Sequence, residues 1–377
     1  MAMKVLISPD KFKGTLNAQL AAQAIAAGWH SSRPEDELEL LPMSDGGDGF
    51  GEIISGLLGA EVQTLKTVDA AHRPCEASWW WHAATKTAIV ESARVIGLAQ
   101  LPPGKYHPFE LDTEGLGAVL KAAAEKGAVH CLVGIGGSAT NDGGFGLARA
   151  LGWQFFSVRD EKIVRWTELR KLAQVRPPES IPLFDSLAVA VDVQNPLLGR
   201  TGCTRVYGPQ KGLRPDDFEF AERCLEQLAQ ILARELHLDR ASEPGTGAAG
   251  GLGFGLRCFA DARLEPGFAL FARYARLQER LKVVQLVLTG EGAIDNSTLM
   301  GKGVGELAGL CQQIGVPCLG FGGVVSDSAQ ANQLFSSTYA LTPDLTNAPE
   351  AMAHPAHWLE VAAAKAALEC SWVAQTR

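Results

Sequence analysis

The chain has 377 residues, more than one ordinary domain holds, so we expect two domains. With 46% hydrophobic and 20% charged residues it has the composition of a globular protein, and its formal net charge of −8, without a long basic run, argues against nucleic acid or an anionic membrane surface as a partner. No run of about 18 apolar residues occurs, and the first apolar stretch is too short for a signal peptide, so we expect no membrane span.

Cysteine and glycine usage adds two constraints. The eight cysteines are irregularly spaced and form no CxxC pair, which favours reduced, buried thiols over zinc or disulfides and indicates a cytoplasmic enzyme. Glycine accounts for 41 residues, roughly 11% of the chain against a usual ~7%. The glycines gather in short clusters behind apolar runs, which indicates pockets lined by backbone.

The apolar periodicities predict a series of strands and helices. In the first part of the chain these are a strand at 5–7, a helix at 16–29 capped by Thr15, a strand at 38–41, a helix ending at 58, antiparallel strands at 76–82 and 87–90, a helix at 116–125, a strand at 129–135, a helix at 145–151, a strand at 187–191 and a helix at 216–236. The remainder contains a strand at 283–289 followed by a loop at 290–295, a helix at 303–314, strands at 316–321 and 337–341, and a helix at 358–372. The charged, proline-ended segment 160–178 is predicted to lie on the surface.

Both chain ends show the βα rhythm of a parallel sheet, whereas the middle is mixed. We therefore predict an α/β protein made of two α/β domains. One is a Rossmann- or flavodoxin-like parallel-sheet domain formed by residues 1–73 and 275–377. The other is a mixed α/β domain, residues 74–274, inserted into the first.

The segment at residues 134–144, GIGGSATNDGG, follows a predicted buried strand and precedes a helix. Glycines let backbone N–H groups surround an anion, and Ser138 and Thr140 add hydroxyl donors. The alternative is a tight strand-to-helix turn without a ligand, but Asn141 and Asp142 favour a functional role. The spacing fits neither GxxxxGK[ST] nor GxGxxG.

A second glycine cluster, PGTGAAGGLG at 244–253, matches GxGxxG at Gly245, Gly247 and Gly250. No apolar strand precedes it, so a nicotinamide-binding site is poorly supported. Two interpretations stay open, a segment that wraps a nucleotide or substrate and a helix packed tightly on another backbone.

Seven carboxylates lie on predicted loops near Gly or Pro: Asp10, Asp45, Asp48, Asp142, Asp192, Glu291 and Asp295. Phosphoryl transfer needs carboxylates to hold Mg²⁺ and often a base for the attacking hydroxyl. It also needs cations beside the phosphates, and lysines occur in similar loops at positions 11, 13, 211 and 302. For any single Asp the alternative is an Asx-turn or a helix cap.

Seven motifs occur in the order found in the bacterial type I glycerate kinases, which the chain resembles over essentially its whole length: SPDKFKGTL (8–16), PMSDGGDG (42–49), GIGGSATNDGG (134–144), DVQNPLLG (192–199), YGPQKG (207–212), PGTGAAGGLG (244–253) and LTGEGAID (288–295). One short match would be weak, but seven in register are specific. The resemblance implies phosphorylation of D-glycerate by ATP with Mg²⁺, at the 2-hydroxyl, to give 2-phosphoglycerate and ADP. D-glycerate and ATP would be the partners, and the sequence leaves a homodimer open.

For this chemistry we predict four catalytic residues. Asp45 and Asp192 would hold Mg²⁺ or accept the hydroxyl proton, and Lys13 and Lys211 would neutralise phosphate charge. Asp295 is the third predicted metal ligand. The residues predicted to bind ATP or glycerate are Asp10, Lys11, Gly46, Gly47, Gly136, Gly137, Ser138, Thr140, Asn141, Asp142, Asn195, Gln210, Gly247, Gly250, Gly251, Glu291 and Lys302.

The chain departs from the family at Ala293, where such kinases usually carry Arg, and at Ser297, where Gln is common. If that Arg contacts phosphate or the glycerate carboxylate, this chain binds differently, and Arg94 is the candidate that would compensate. Two other functions stay open. One is a kinase of another small sugar acid or polyol on the same scaffold, and the other is a non-catalytic ligand-binding protein.

Overall fold

The structure is a computed structural model that describes residues 2–179, 183–299, 303–326 and 334–370. The chain divides into two compact units: unit 1 consists of Met1–Asp45 and Phe268–Arg377, and unit 2 of Gly46–Gly267. The predicted domain boundaries, near residues 74 and 275, differ from this division. The first boundary comes earlier because the strand Glu61–Val68 pairs with the strand Pro74–His82 in the sheet of unit 2.

The elements of the described residues are as follows. The strands are β1 (Lys4–Ile7), β2 (Glu37–Leu40), β3 (Glu61–Val68), β4 (Pro74–His82), β5 (Thr87–Glu91), β6 (His130–Gly134), β7 (Gln154–Ser157), β8 (Leu172–Arg176), β9 (Ser186–Val191), β10 (Arg263–Pro266), β11 (Leu286–Ile294), β12 (Cys318–Val325) and β13 (Ser337–Thr342). The α-helices are α1 (Ala18–Ser32), α2 (Phe50–Leu58), α3 (Ala93–Ile96), α4 (Glu114–Glu125), α5 (Phe145–Ala150), α6 (Cys203–Lys211), α7 (Pro215–Leu236), α8 (Ala248–Phe259), α9 (Gly267–Tyr274), α10 (Leu277–Leu281), α11 (Asn296–Leu299), α12 (Gly303–Ile314), α13 (Ala348–Ala353) and α14 (Pro355–Glu369). Short 3₁₀ helices lie at Leu98–Gln100, Pro108–Glu110 and Trp166–Lys171.

Unit 1 contains a five-stranded sheet, in the order β13-β12-β11-β1-β2, in which every pair is parallel. Its core includes Trp29 and Ile25 from α1 and Phe321 from β12. Helix α1 packs closely on α14 at Gly28, which has no room for a side chain: an added Cβ atom would lie only 2.0 Å from the carbonyl oxygen of Glu360. In such a sheet the carboxyl ends of neighbouring strands meet at one edge, where ligands usually bind.

Unit 2 contains a six-stranded sheet in the order β10-β9-β6-β5-β4-β3. The first four strands are parallel, and β4 and β3 continue the sheet antiparallel. Its core is rich in aromatic side chains, among them Trp79, Phe155 and Phe259. The parallel sheet of unit 1 and the mixed sheet of unit 2 confirm the predicted fold class.

The prediction for one segment was incomplete. Residues 160–178 were expected to lie on the surface, and many of them are exposed, but the segment also contains a 3₁₀ helix that buries Trp166 and Leu169, and β8, which pairs antiparallel with β7. The buried residues recur at every third position: Ile163, Trp166, Leu169, Leu172 and Val175. A repeat of three matches neither an α-helix nor a strand. The buried residues of this charged segment therefore do not predict a secondary-structure element.

Two smaller differences concern the candidate loops. The N-cap of α1 is Asn17, whose side chain accepts a hydrogen bond from Leu20 N (2.8 Å), whereas the hydroxyl of Thr15 donates to Phe12 O (2.9 Å). Strand β11 continues through residues 290–294, which were predicted as a loop, because its second half keeps pairing with β12.

Two observations on the whole chain complete the description. All eight cysteines are free thiols, and seven of them are buried. Among the helices that the structure describes, none has both the length and the apolar composition needed to cross a membrane.

Candidate active site

A first group of candidate residues lies in unit 1, at the sheet edge where β1 and β2 end and which β11 crosses. Backbone pairing extends beyond β1, because Asp10 N donates a hydrogen bond to Gly290 O (2.8 Å). The negative charges of Asp45 and Glu291 both act on the Asp10 carboxyl. Three of the predicted carboxylates therefore share one edge of the parallel sheet.

The environment of Asp10 shifts its titration strongly. Burial, followed by repulsion from Asp45, raises the pKa of Asp10 to about 7. The opposing influence is Lys11, whose backbone N–H donates to Asp10 Oδ1 (2.7 Å) and whose Nζ lies 3.7 Å from Asp45 Oδ1. A carboxyl that titrates near neutral pH can take up or release a proton during turnover. The sequence predicted ligand binding at Asp10 but not this property.

Two further acidic residues lie on or after β11. Glu291 is buried on the strand, and its Oε1 accepts a hydrogen bond from the hydroxyl of Thr298 (2.7 Å), a residue that the motifs did not single out. The same hydroxyl accepts from the backbone N–H of Asp295 (3.2 Å). Thr298 thus orients Glu291 and fixes the turn at Asp295. Lys13 is exposed on the loop after β1, and Lys302 lies outside the described residues.

In unit 2, the loop after residue 45 lies on the glycine-rich loop that follows β6. Gly136 N donates to Gly46 O (3.2 Å). A Cβ atom at Gly136 would lie 2.5 Å from Gly47 Cα, and one at Gly46 would lie 2.7 Å from Ala190 Cβ. Close packing on Ala190 and on Gly47 therefore accounts for glycine at positions 46 and 136, respectively, without any ligand.

Glu91, which lies in none of the sequence motifs, holds the beginning of α2. Its carboxylate oxygens accept hydrogen bonds from Gly49 N (3.1 Å) and Gly51 N (2.9 Å). It thereby supplies from β5 the cap that the N-cap glycine of α2 cannot provide. Arg94, considered as a substitute for the Arg absent at Ala293, is engaged at the same place, with its Nε 3.7 Å from Glu91 Oε2.

The tip of the glycine-rich loop is the part of it that reaches the surface. Gly137 is exposed and adopts a left-handed conformation with φ 75°. Within the described chain, neither the N–H of Gly137 nor that of Ser138 donates a hydrogen bond to protein. The carboxylate of Asp48 lies beside this tip, as its Oδ1 is only 2.5 Å from the position that a Cβ atom would take at Gly137. The tip thus combines two free donors with an acidic oxygen.

The polar side chains of the same loop point into unit 2 instead. Ser138 is 5% exposed and Thr140 0%, and their hydroxyl oxygens lie 2.9 Å apart. Asn141 is also fully buried, and its Nδ2 donates to Thr204 Oγ1 (3.0 Å). These hydroxyl and amide groups were predicted to bind an anion, but the hydrogen bonds above join them to other groups of unit 2.

Asp142 has a clear structural function. Its carboxylate is fully buried and accepts hydrogen bonds from Thr113 N (3.0 Å), the Thr113 hydroxyl (2.8 Å), Gly144 N (3.2 Å) and Gly146 N (2.9 Å). Thr113 is the N-cap of α4, and Gly144 is the N-cap of α5. One carboxylate therefore joins the N-termini of two helices, where negative charge is stabilising.

The second glycine cluster packs on the protein's own backbone. A Cβ atom at Gly250 would lie 1.9 Å from Thr140 O, and one at Gly247 would lie 2.2 Å from Pro196 O. At Gly251 it would lie 2.8 Å from Gly143 Cα. Of the two interpretations left open by the sequence, tight packing on another backbone accounts for these glycines. Their predicted contact with ATP or glycerate stays a prediction.

A further polar group follows β9. Asp192 is exposed directly after the strand. Asn195 accepts a hydrogen bond from the Tyr207 hydroxyl (2.6 Å) and donates to Thr201 O (2.7 Å). Burial and then the negative charge of Asp192 raise the pKa of Tyr207. Gln210 is exposed on α6.

Lys211 was predicted to neutralise phosphate charge, but it lies inside unit 2. It is 6% exposed, and its Nζ donates a hydrogen bond to Thr140 O (2.6 Å). Burial lowers the pKa of Lys211 to about 8. The buried ammonium of Lys211 thus contacts the backbone of the glycine-rich loop at Thr140.

The candidate residues therefore fall into two groups, each described within its own unit. Asp10, Lys11, Asp45, Glu291 and Asp295 belong to unit 1, whereas Asp192, Asn195 and both glycine clusters belong to unit 2. The prediction that Asp45, Asp192 and Asp295 are metal ligands stays a prediction.

Comparisons with known proteins agree with each other. The model of the Glycerate kinase family matches residues 5–370. The chain is 36% identical to a glycerate kinase from Halalkalibacterium halodurans over 98% of both chains, and 34% identical to a glycerate 2-kinase from Escherichia coli K12 over 86% of both. A crystal structure of a Salmonella typhimurium LT2 protein, given as a glycerate kinase 2, superposes with a TM-score of 0.84 at 30% identity and covers 100% of each chain.

Proposed function

The chain belongs to the glycerate kinase family, and from that premise we propose that it transfers the terminal phosphoryl group of ATP to the 2-hydroxyl of D-glycerate, giving 2-phosphoglycerate and ADP. The observation that carries the proposal is the family match over residues 5–370. In the reaction the bond between the terminal phosphorus and its bridging oxygen breaks, a bond to the glycerate oxygen forms, and the hydroxyl proton must be accepted.

Mg²⁺ would neutralise the charge of the ATP phosphates, and unit 1 offers ligands of the right kind. Asp10, Asp45 and Glu291 supply carboxylate oxygens, which Mg²⁺ prefers in proteins. Burial and then repulsion from Asp45 raise the pKa of Asp10, and a bound cation would lower it again. Lys11 and the exposed Lys13 would add positive charge beside the phosphates.

In unit 2, we assign Asp192 as the group that accepts the hydroxyl proton of glycerate. Its exposure at the carboxyl end of β9 is consistent with substrate access, and the Tyr207–Asn195 pair beside it offers polar contacts to a hydroxy acid. The two free N–H groups at Gly137 and Ser138 would bind an anionic oxygen, as backbone donors in a left-handed turn commonly do.

An Asp192→Asn variant tests the proton acceptor. We expect kcat to fall at least about 100-fold with unchanged folding, because general-base catalysis typically contributes that much. Asp185→Asn is the matched control, since Asp185 is exposed directly before the same strand, at its opposite end. The measurement is ADP release with D-glycerate, and near-normal turnover of Asp192→Asn would remove this residue from the mechanism.

The same assay, run over a panel of small hydroxy acids and polyols, separates the proposed substrate from the alternative kinase substrates. Phosphorus NMR of the product distinguishes 2-phosphoglycerate from 3-phosphoglycerate. A protein that binds glycerate without releasing ADP would favour the non-catalytic alternative.

We also place the enzyme in the cytoplasm, which is supported by eight cysteines that remain free thiols.

A further inference from the structure

Helix α6 holds the glycine-rich loop at two consecutive residues. Thr204, in the first turn of the helix, accepts a hydrogen bond from Asn141 Nδ2 (3.0 Å). Lys211, in the last turn, donates from Nζ to the carbonyl oxygen of Thr140 (2.6 Å). The two ends of one helix therefore fix the backbone that leads from the exposed tip of the loop to Asp142.

The position of Lys211 does not suit a direct phosphate contact. Its side chain is buried, and the Thr140 carbonyl that it contacts belongs to a residue without exposed surface. A charge-assisted bond from an ammonium to a carbonyl is stronger than a neutral one, and it gains further in a region of low dielectric. The ammonium also lies at the C-terminal end of α6, where a cation is stabilising.

We propose, on the basis of the function proposed above, that Lys211 is a positioning residue whose buried ammonium fixes the glycine-rich loop through Thr140 and thereby sets the alkaline limit of turnover, without touching the phosphates. This assignment replaces the direct phosphate contact that the sequence predicted. The loop would present its free N–H groups in the correct place only while the ammonium is charged.

The surroundings of Lys211 explain why this charge responds to pH. Burial lowers the pKa of Lys211 to about 8 and outweighs the opposing influences of Cys203, on α6 itself, and of Asp142, before α5. Deprotonation above this pH converts a charge-assisted bond into a neutral one. The Thr140 carbonyl is then held less firmly.

Residue-resolved labelling of amines tests the location of Lys211 independently of any activity. Reductive methylation of the full-length enzyme near pH 7.5, with and without ATP, should leave Lys211 unmodified in both states, whereas the exposed Lys121 on α4 should react readily in both. Methylation of Lys211 in the free protein together with protection by ATP would overturn the proposal, because that pattern identifies a direct phosphate contact.

Variants test the positioning role. Below about pH 8, where Lys211 is charged, we expect Lys211→Met to lower kcat about 100-fold, as a misplaced loop does, while the KM for ATP changes less than about threefold. The fall in kcat that we expect near pH 8 in the parent enzyme should be absent from the pH profile of Lys211→Met. Lys211→Arg should restore part of kcat and move this fall to higher pH. Lys121→Met, an exposed position on α4, is the control. A raised KM for ATP with normal kcat would contradict the proposal.

Hydrogen exchange separates this inference from the proposed reaction. In Lys211→Met, the backbone amides of residues 139–142 should exchange at least about tenfold faster than in the parent protein, with little change in unit 1. If the parent enzyme fails to phosphorylate D-glycerate but the loop amides still respond, only the function is wrong. If Lys211→Met folds and its loop amides are unchanged, the positioning role is wrong.

Discussion

Asp10 is the residue whose titration has the clearest consequence for stability. Its ordinary pKa of 3.8 rises to about 7 in the folded protein, mainly through burial. Between these values the folded state binds more protons than the unfolded state, so this contribution to stability falls as the pH rises from about 4 to about 7 and stays low above that range.

An Asp10→Asn substitution should therefore stabilise the protein at pH 8 but not at pH 4. We expect a gain on the order of 2 kcal/mol in the free energy of unfolding at pH 8, because the ionised, repelled carboxylate is removed. Turnover should fall in the same variant, since a proposed Mg²⁺ ligand is lost. Urea unfolding at the two pH values gives the measurement, and an equal effect at both would show that Asp10 does not titrate as described.

Asp142 illustrates a buried acid with a structural role. Asp142→Asn retains one oxygen but replaces the other with an N–H₂ group that would face N–H donors. Leaving buried donors unpaired typically costs about 1–3 kcal/mol each, so we expect a loss of about 3 kcal/mol or failure to fold. The exposed Asp261→Asn provides the control in urea unfolding. Unchanged stability with lost ATP binding would instead make Asp142 a ligand contact.

At the level of elements, the start of α8 contains three consecutive left-handed residues: Ala249, Gly250 and Gly251, with φ of 55°, 70° and 83°. An alanine in this conformation costs about 1–2 kcal/mol, whereas glycine adopts it freely. The neighbouring Gly250 has no room for a side chain, since its Cβ would lie 1.9 Å from Thr140 O.

Two single-methyl changes at adjacent positions should therefore act in opposite directions. Ala249→Gly removes strain and should stabilise the protein by up to about 1 kcal/mol, partly offset by the greater freedom of the unfolded chain. Gly250→Ala should destabilise it by more than about 2 kcal/mol, because strain and overlap with the Thr140 carbonyl add together. Chemical unfolding of both variants measures the difference, and equal effects would refute the backbone contact.

The sequence predicted elements well where burial follows a single period. Helix α12 begins and ends at the predicted residues, and β9 is confirmed within one residue. The 3₁₀ helix at Trp166–Lys171 was missed because its buried residues recur every three positions. The continuation of β11 through its glycines was missed because Gly and Asp normally indicate a turn, and only pairing with β12 keeps the segment extended.

The candidate site was predictable in its parts rather than in their roles. The motifs identified Asp10, Asp45 and Asp192 because such residues at strand ends are characteristic of phosphoryl transfer. Glu91 and Thr298 lie in none of the motifs. The role of Glu91 depends on Gly49, which is 42 positions away in the chain, and that of Thr298 depends on Glu291, which is seven positions away. Burial separates the structural acid Asp142 from the exposed Asp192, and burial is set by the tertiary fold.

For the whole molecule, the division of the chain makes a prediction about autonomous folding. Unit 2 is one continuous stretch, 46–267, with its own sheet and its own aromatic core. A fragment of this extent should fold cooperatively, because burial within it does not require the rest of the chain. It should show no ATP turnover, since Asp10, Asp45 and Glu291 lie in unit 1.

A fragment with the boundaries predicted from the sequence, 74–274, is the matched comparison. It lacks β3 and α2, so β4 keeps β5 but loses β3, the second of its two antiparallel partners. The ring of Trp80 also loses its cover from α2, since an added Cβ atom at Gly51 would lie only 2.1 Å from that ring. Exposing an unpaired strand edge and a large aromatic surface favours aggregation over folding. We therefore expect a cooperative urea transition and resolved near-ultraviolet circular dichroism for fragment 46–267 only. Equal behaviour of the two fragments would show that β3 and α2 are dispensable and that the boundary lies closer to residue 74.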